Sequence, residues 1–487
     1  MLSKINAPKT SRFQRSITKH FGLSFASTAI FAMAITAGTG ANAQGFTDQV
    51  YDGGKARVNV SAKTRALSEL ITGASCRLDT GIGTDIAMAD LRKTHDDFNR
   101  IIIGLRDGDP ALGIPTAERG SRPLKAIAGV LEFWDPIDVA TTHMLSGEGT
   151  HDDLIVIDET FRSLFDATVL LASDVSGQHT NPQELLQSDA ITLNFIGRQR
   201  MLLARMSRIM CGLAANDPAL GSADEMAETI SLFEVSLNAL RQGFPDAGIS
   251  PPPTDAIADA LTKTADLWEA NKAAFTAAAE GATISAAEVE TTLVATKSLN
   301  VEVNNALTLY LVSSPGQEGL YRVPLATYAN EQLSVWLENE DMIAAINAQN
   351  TEHADLSEDQ IIALDQDWRA QTDDGGPLIT DLLERPVSKW LLDQQDSTAG
   401  FVTEVFIMDN KGLNVAQSAA TSDYWQGDEA KWQQTYAAED GALHISEVEF
   451  DDSTGFYQTQ ASMPIVDPAT GEKIGAITFG INVQSLL

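Results

Sequence analysis

The chain has 487 residues, 44% of them hydrophobic and 21% charged, and a formal net charge of −34. That length exceeds one compact core and implies about three domains at roughly 100–200 residues each, with the composition of a globular protein. Five basic residues (Lys4, Lys9, Arg12, Arg15, Lys19) fall in the first 43 positions, which hold no acid, so the remainder carries 28 basic residues against 67 acidic. A surface that acidic repels phosphate backbones and anionic lipid, which excludes nucleic acid as a partner of the whole molecule.

The N-terminus reads as a signal peptide over 1–43: a basic stretch, an apolar run over 21–37, then Ala41-Asn42-Ala43 before Gln44. The alternative is an uncleaved anchor, for which this run, diluted by Ser and Thr, is marginal. The expected location is the periplasm, and no later segment is long and apolar enough to span a bilayer.

Two stretches then match at an offset of 135 residues: Asn59 with Asn194, Arg65 with Arg200, Leu67 with Leu202, Cys76 with Cys211, Phe98 with Phe233, Gly108 with Gly243 and Pro110 with Pro245. After a slip of one residue, Trp134 answers Trp268. One register held this long marks a duplication. Helical periodicity predicts four helices in each copy, at 55–78, 84–106, 121–146 and 151–176, and again at 183–214, 222–243, 253–280 and 284–313. Gly/Pro/Asp clusters at equivalent points stop the helices. Four helices with short links make an up-down bundle, so two helical repeats are expected at 55–176 and 183–313.

The first helix of copy two contains Asn194, Gly197, Arg198-Gln199-Arg200-Met201 and Arg205-Met206. This pattern resembles the opening helix of the type IV pili methyl-accepting chemotaxis transducer N-terminal domain, a family that includes input domains of nitrate/nitrite sensor kinases. Copy one departs from it, with Ala66 in place of Met201 and Leu70 in place of Arg205. The resemblance implies that Arg65 and Arg200 meet at a pseudo-two-fold axis and hold a small oxyanion, nitrate or nitrite, with Asn59 and Asn194 as orienting residues. A guanidinium suits that task, since it offers a planar donor fork and stays charged when partly buried. The alternative for each arginine is an ion pair with one of the many acids. Arg198, Arg205 and Arg208 are expected to face solvent or such acids. The only cysteines, Cys76 and Cys211, lie three helical turns beyond the arginines, and either form a disulfide across the axis or remain buried thiols.

From about 320 the pattern changes. A long helix over 323–350 and a helical, acid-rich stretch to 395 lead into strands at 402–408, 442–450, 455–463 and 474–483, with a turn at Asp409-Asn410-Lys411-Gly412. This order resembles an extracellular PAS-like (Cache) sensor domain over 325–487. The resemblance implies that the segment around Asp423, Tyr424, Trp425 and Asp428 closes a ligand site, the aromatics as walls and the acids as partners for an ammonium group. A packed aromatic loop is the other reading.

The expected architecture is therefore multidomain: two tandem all-α four-helix bundles and a C-terminal α+β PAS-like (Cache) domain with an antiparallel sheet. Hydrolase, nucleotide-binding, metalloprotease and haem motifs are missing, and no His or Cys pair has metal-ligand spacing, so neither an enzyme nor a cofactor or metal site is expected. Both resembled families usually precede a membrane helix and a signalling module. The chain ends without either, which suggests an accessory sensor that binds a small anion or metabolite and relays to a membrane-bound signalling protein. The competing expectation is an interaction or scaffold protein whose bundles bind nothing, with sensing confined to the C-terminal domain.

Overall fold

The computed structural model describes residues 53–179, 187–313, 319, 321–372, 375–398, 400–439, 441–451 and 456–483. The signal peptide expected at 1–43 lies outside the described residues. Helices α1 (Gly54–Thr80), α2 (Thr84–Asp107), α3 (Ser121–Ser146) and α4 (His151–His179) come first. They are followed by α5 (Gln187–Ala215), α6 (Ala223–Gln242), α7 (Asp255–Asn271), α8 (Ala273–Ala279) and α9 (Ala286–Ser313). Among the described residues no helix is long and apolar enough to cross a membrane.

The second helical set retraces the first at the offset of 135 that separates the cysteines. After α2 and again after α6 the chain makes a 3-10 turn, Pro110–Leu112 and Pro245–Ala247, pinched by equivalent backbone bridges, Asp109 to Ile114 and Phe244 to Ile249. Both turns close on a glycine in the left-handed region, Gly113 at φ 69° and Gly248 at φ 76°, a conformation that a Cβ would oppose. Each set also buries one tryptophan in the same way. The Trp134 ring stacks on Phe98 at 4.1 Å and its indole N–H donates to Asn99 at 2.7 Å; Trp268 lies 4.8 Å from Phe233 and donates to Glu234 at 3.0 Å. The single helix expected over 253–280 is two, α7 and α8, divided at Lys272.

Helix α1 is buried over most of its length although its sequence is polar, because α2, α4 and α5 surround it. Its hydroxyl residues tolerate this by bonding to their own helix: Ser61 donates to the Val58 carbonyl, Thr64 to Ser61, Ser68 to Arg65 and Thr72 to Ser68. One core gathers Leu91, Phe98, Ile127, Trp134, Leu164 and Leu171 from α1–α4 and their neighbours. A second runs from Phe233, Trp268 and Phe275 through Tyr321 and Leu325 into the sheet at Val405, Ile407, Phe479 and Ile481.

The long helix expected over 323–350 is broken into α10 (Arg322–Tyr328), a π turn, a 3-10 turn and α11 (Glu340–Glu352). The break falls at Asn339, whose backbone is extended and whose side chain accepts from the Met342 N–H at 2.8 Å, an N-cap that starts a new helix. Helices α12 (Glu358–Arg369), α13 (Pro377–Glu384) and α14 (Pro386–Ser397) lead into the sheet. Its strands are β1 (Val402–Met408), β2 (Asn414–Gln417), β3 (His444–Ile445), β4 (Glu449–Asp451), β5 (Phe456–Val466) and β6 (Lys473–Asn482), with a short helix α15 (Ala430–Gln433) between β2 and β3. The order is β2-β1-β6-β5-β3, with β4 also on β5, and every pair is antiparallel. The strand expected over 442–450 is two short pieces, and β2 was not anticipated, since four buried residues show no alternation. The turn at 409–412 is fixed by the Asp409 carboxylate, which accepts from the Lys411 and Leu413 N–H groups.

Candidate functional site

Helices α1 and α5 run side by side in register. The cysteines are disulfide-bonded, with Cα atoms 6.2 Å apart. One turn earlier, a Cβ built on Gly73 would lie 3.4 Å from the Cα of its repeat partner Arg208, and a Cβ on Gly197 would lie 3.3 Å from the Ala62 methyl. Equivalent residues thus touch along the pair, which is what a local two-fold axis between parallel helices produces. Small residues at these points let the backbones approach.

The same axis brings Arg65 and Arg200 together. Each donates across it to the other copy's asparagine: Arg65 Nη2 to Asn194 Oδ1 at 3.2 Å and Arg200 Nη2 to Asn59 Oδ1 at 2.9 Å. The contacts are therefore reciprocal, each asparagine accepting from the arginine of the opposite repeat. Both Nη2 atoms lie 3.5 Å from one point, the place a Gly197 Cβ would occupy. Arg65 and Arg200 are only 8% and 7% exposed, and among the described residues neither forms an ion pair. The Arg200 Nε has no hydrogen-bond partner among those residues. Burial, and then Arg198, pulls Arg65 down to about 10; burial, and then Arg65 itself, does the same to Arg200. Arg65 and Arg200 are thus two buried cations held by neutral amides, with both Nη2 atoms beside Gly197.

The remaining arginines differ. Arg205 and Arg208 both bind the fully buried Glu69 of α1, at 2.8 and 2.6 Å, and Arg208 also reaches Glu225 at 2.6 Å. Arg208, expected at the surface or beside an acid, has an acid partner but no solvent. Burial alone would raise the Glu69 carboxyl; Arg208 and Arg205 outweigh it and hold the group below the usual range. Sequence reading missed Glu69. The signal was available: its repeat equivalent is Ala204, so this acid is unmatched in the other copy.

Three of the four residues expected around a C-terminal ligand site are held by protein partners. Asp423 pairs with Arg369 at 3.0 Å, Tyr424 stacks on Trp368 at 5.4 Å, and the Trp425 indole donates to the Lys411 carbonyl at 2.9 Å. The Tyr424 and Trp425 N–H groups both donate to Asp365 on α12, while Asp428 is exposed. This segment, which lies between β2 and β3, is docked onto α12 and α13 through its side chains.

Comparison with known proteins bears on the same helices. Residues 185–292, which span α5 to α8 and the start of α9, match the family model described as type IV pili methyl-accepting chemotaxis transducer N-term. The arginine-bearing helix α5 and those that follow are thus similar to a sensory input domain. A solved structure, "Crystal structure of the V. cholerae Histidine Kinase DctB Sensor Domain", is similar over 33% of this chain at 11% identity, with a TM-score of 0.17. The chain spans 59% of that protein's length. No curated protein matches the sequence.

Proposed function

We propose that this protein is a non-enzymatic, exported ligand sensor built from two copies of one four-helix module and a Cache-like C-terminal domain, and that Arg65 and Arg200 hold one small planar anion of nitrate or nitrite size between the copies. The observation that carries this reading is the convergence of two buried guanidiniums that have no carboxylate partner among the described residues. Left empty, the pair repels itself and keeps two desolvated charges; one anion supplies the missing counter-charge to both. The match over 185–292 to the N-terminal part of a chemotaxis transducer supports a sensory role. In this reading anion binding neutralises the arginine pair between α1 and α5, and the change passes along them to a membrane-bound partner. The order of the C-terminal sheet supports a second sensor domain without assigning it a ligand.

Calorimetry with nitrate on the disulfide-bonded protein tests the site. Arg65→Ala or Arg200→Ala is expected to weaken binding about 10- to 150-fold, the worth of a charge-assisted contact. Arg→Lys at either position loses much of it too, since a point charge lacks the fork. The exposed Arg122→Ala serves as control. Wild-type affinity in both Ala variants assigns the arginines to structure and leaves sensing to the C-terminal domain.

A further inference from the structure

A cavity of about 100 Å³ opens beside Arg200, walled by α1, α5 and α9. Its floor is apolar, from Ala66, Leu70, Leu203 and Leu293, while Arg200, Lys63, Lys297, Asn300 and Asn304 supply its polar atoms. The local two-fold axis generates an equivalent place on the other flank of the helix pair, between α5, α1 and α4. There the space is filled. Met201 stands where the cavity has Ala66, Arg205 where it has Leu70, Phe161 where it has Thr296, and Phe165 where it has Asn300. Arg205 lies over the Phe165 ring at 4.8 Å, and Met201 and Phe161 are buried. Four exchanges between the copies, each removing bulk or adding a hydrogen-bonding group, therefore hollow one flank and leave the other solid. The loss of the family pattern in copy one, Ala66 and Leu70, is what makes the room.

We infer that this flank is a second binding site, and that its ligand is a short unbranched monocarboxylate. The charge follows from the lining: three cations touch the cavity and no acid does. Lys63 and Lys297 are each balanced by an acid behind them, Asp97 at 3.2 Å and Asp90 at 2.6 Å, whereas Arg200 has none among the described residues. The tail follows from the floor and the volume. A dry apolar cavity of ~150 Å³ holds a benzene ring, so this one accommodates about three or four carbons, with the carboxylate toward Arg200 and the lysine ammonium groups. An inorganic anion would leave the apolar floor empty, and a dicarboxylate would bury a second charge against it. The inference touches the anion reading above only through Arg200, and it adds a ligand class which that reading does not contain.

Calorimetry on the intact, disulfide-bonded chain with acetate, propanoate and butanoate, and with nitrate and butylammonium alongside, tests it. Affinity should rise about fourfold per methylene, the worth of burying one CH₂. Ala66→Met and Asn300→Phe each rebuild the filled flank from opposite walls, and each should weaken butanoate binding by about tenfold or more while leaving nitrate unchanged. Butylammonium should not bind. A flat affinity series, butanoate binding that survives both substitutions, or equal binding of butylammonium overturns the inference. Should nitrate bind and no carboxylate do so, the cavity site fails and the arginine-pair site stands; the reverse result keeps the cavity and removes the pair.

Discussion

Replacing Arg200 with methionine should make the anion-free protein more stable, and the size of the effect can be worked from the geometry. Both Nη2 atoms lie 3.5 Å from one point, so they are at most about 7 Å apart. Two unit charges at ~7 Å repel by about 2 kcal/mol at the effective dielectric constant of roughly 20 that suits protein sites. Methionine keeps most of the side chain's length and packing and removes that repulsion. It also removes the hydrogen bond to Asn59, worth about 1 kcal/mol. The net expectation is a gain of about 1 kcal/mol for Arg200→Met without anion. With nitrate at about 100 times its Kd the wild type gains about 2.7 kcal/mol and the variant nothing, so the order reverses. Urea unfolding in a sulfonate buffer, with and without nitrate, reads both numbers. A variant destabilised equally in the two conditions would refute the reasoning, because the arginine would then be a structural residue with its charge already satisfied.

Further expectations follow from the same helix pair. Glu69→Gln leaves Arg205 without its carboxylate and Arg208 with Glu225 alone, and should cost about 1–3 kcal/mol in urea unfolding; a loss below about 1 kcal/mol would mean that water reaches the cluster. The Cys76→Ser/Cys211→Ser double variant releases a loop of more than 100 residues and should lose up to about 5 kcal/mol by loop-closure entropy, with unchanged stability as the contrary result. Gly197→Ala places a methyl 3.5 Å from both Nη2 atoms and 3.3 Å from the Ala62 methyl, so nitrate affinity should fall with little change in folding. Asp158 is pushed up to about 7 by burial, then by Asp217 and Asp79, against His151 and Arg208. Its folded pKa lies above the unfolded one, so the folded state keeps a proton that the unfolded state has released. The contribution to stability is present at low pH and is lost as pH rises from about 4 through 7. Asp158→Asn should therefore flatten this part of the profile and stabilise the protein at pH 8 by about 1–2 kcal/mol, allowing for partial exposure; an unchanged pH profile would contradict it.

The repeat lies in residue identity: one offset pairs the turn residues, the cysteines and Arg65 with Arg200, and a slip of one residue pairs Trp134 with Trp268. What identity could not show is which residue of one copy serves which residue of the other. The exchange of Asn59 and Asn194 across the axis depends on how two helices pack, and a single helix carries no trace of it. Glu69 and the hollow flank at Ala66 and Asn300 stayed hidden for a related reason. They lie where the copies differ, and differences look like drift until the opposing wall is in place. In the C-terminal domain, strand alternation located β1, β5 and β6, but Asn339 was passed over as a cap inside an otherwise helical pattern. Tyr424 and Trp425 were read as walls of a ligand site, and their role in docking the segment required α12, which contributes Asp365 and Trp368 from more than 50 residues away.

The most direct test of the arginine-pair site is a crystal of the disulfide-bonded protein soaked in bromide, an anion located by its anomalous scattering. The account predicts one strong peak per chain within about 3.5 Å of both Arg65 Nη2 and Arg200 Nη2, displaced when nitrate is added and absent in Arg200→Ala. Peaks confined to surface lysines, with none between the two guanidiniums, would contradict it.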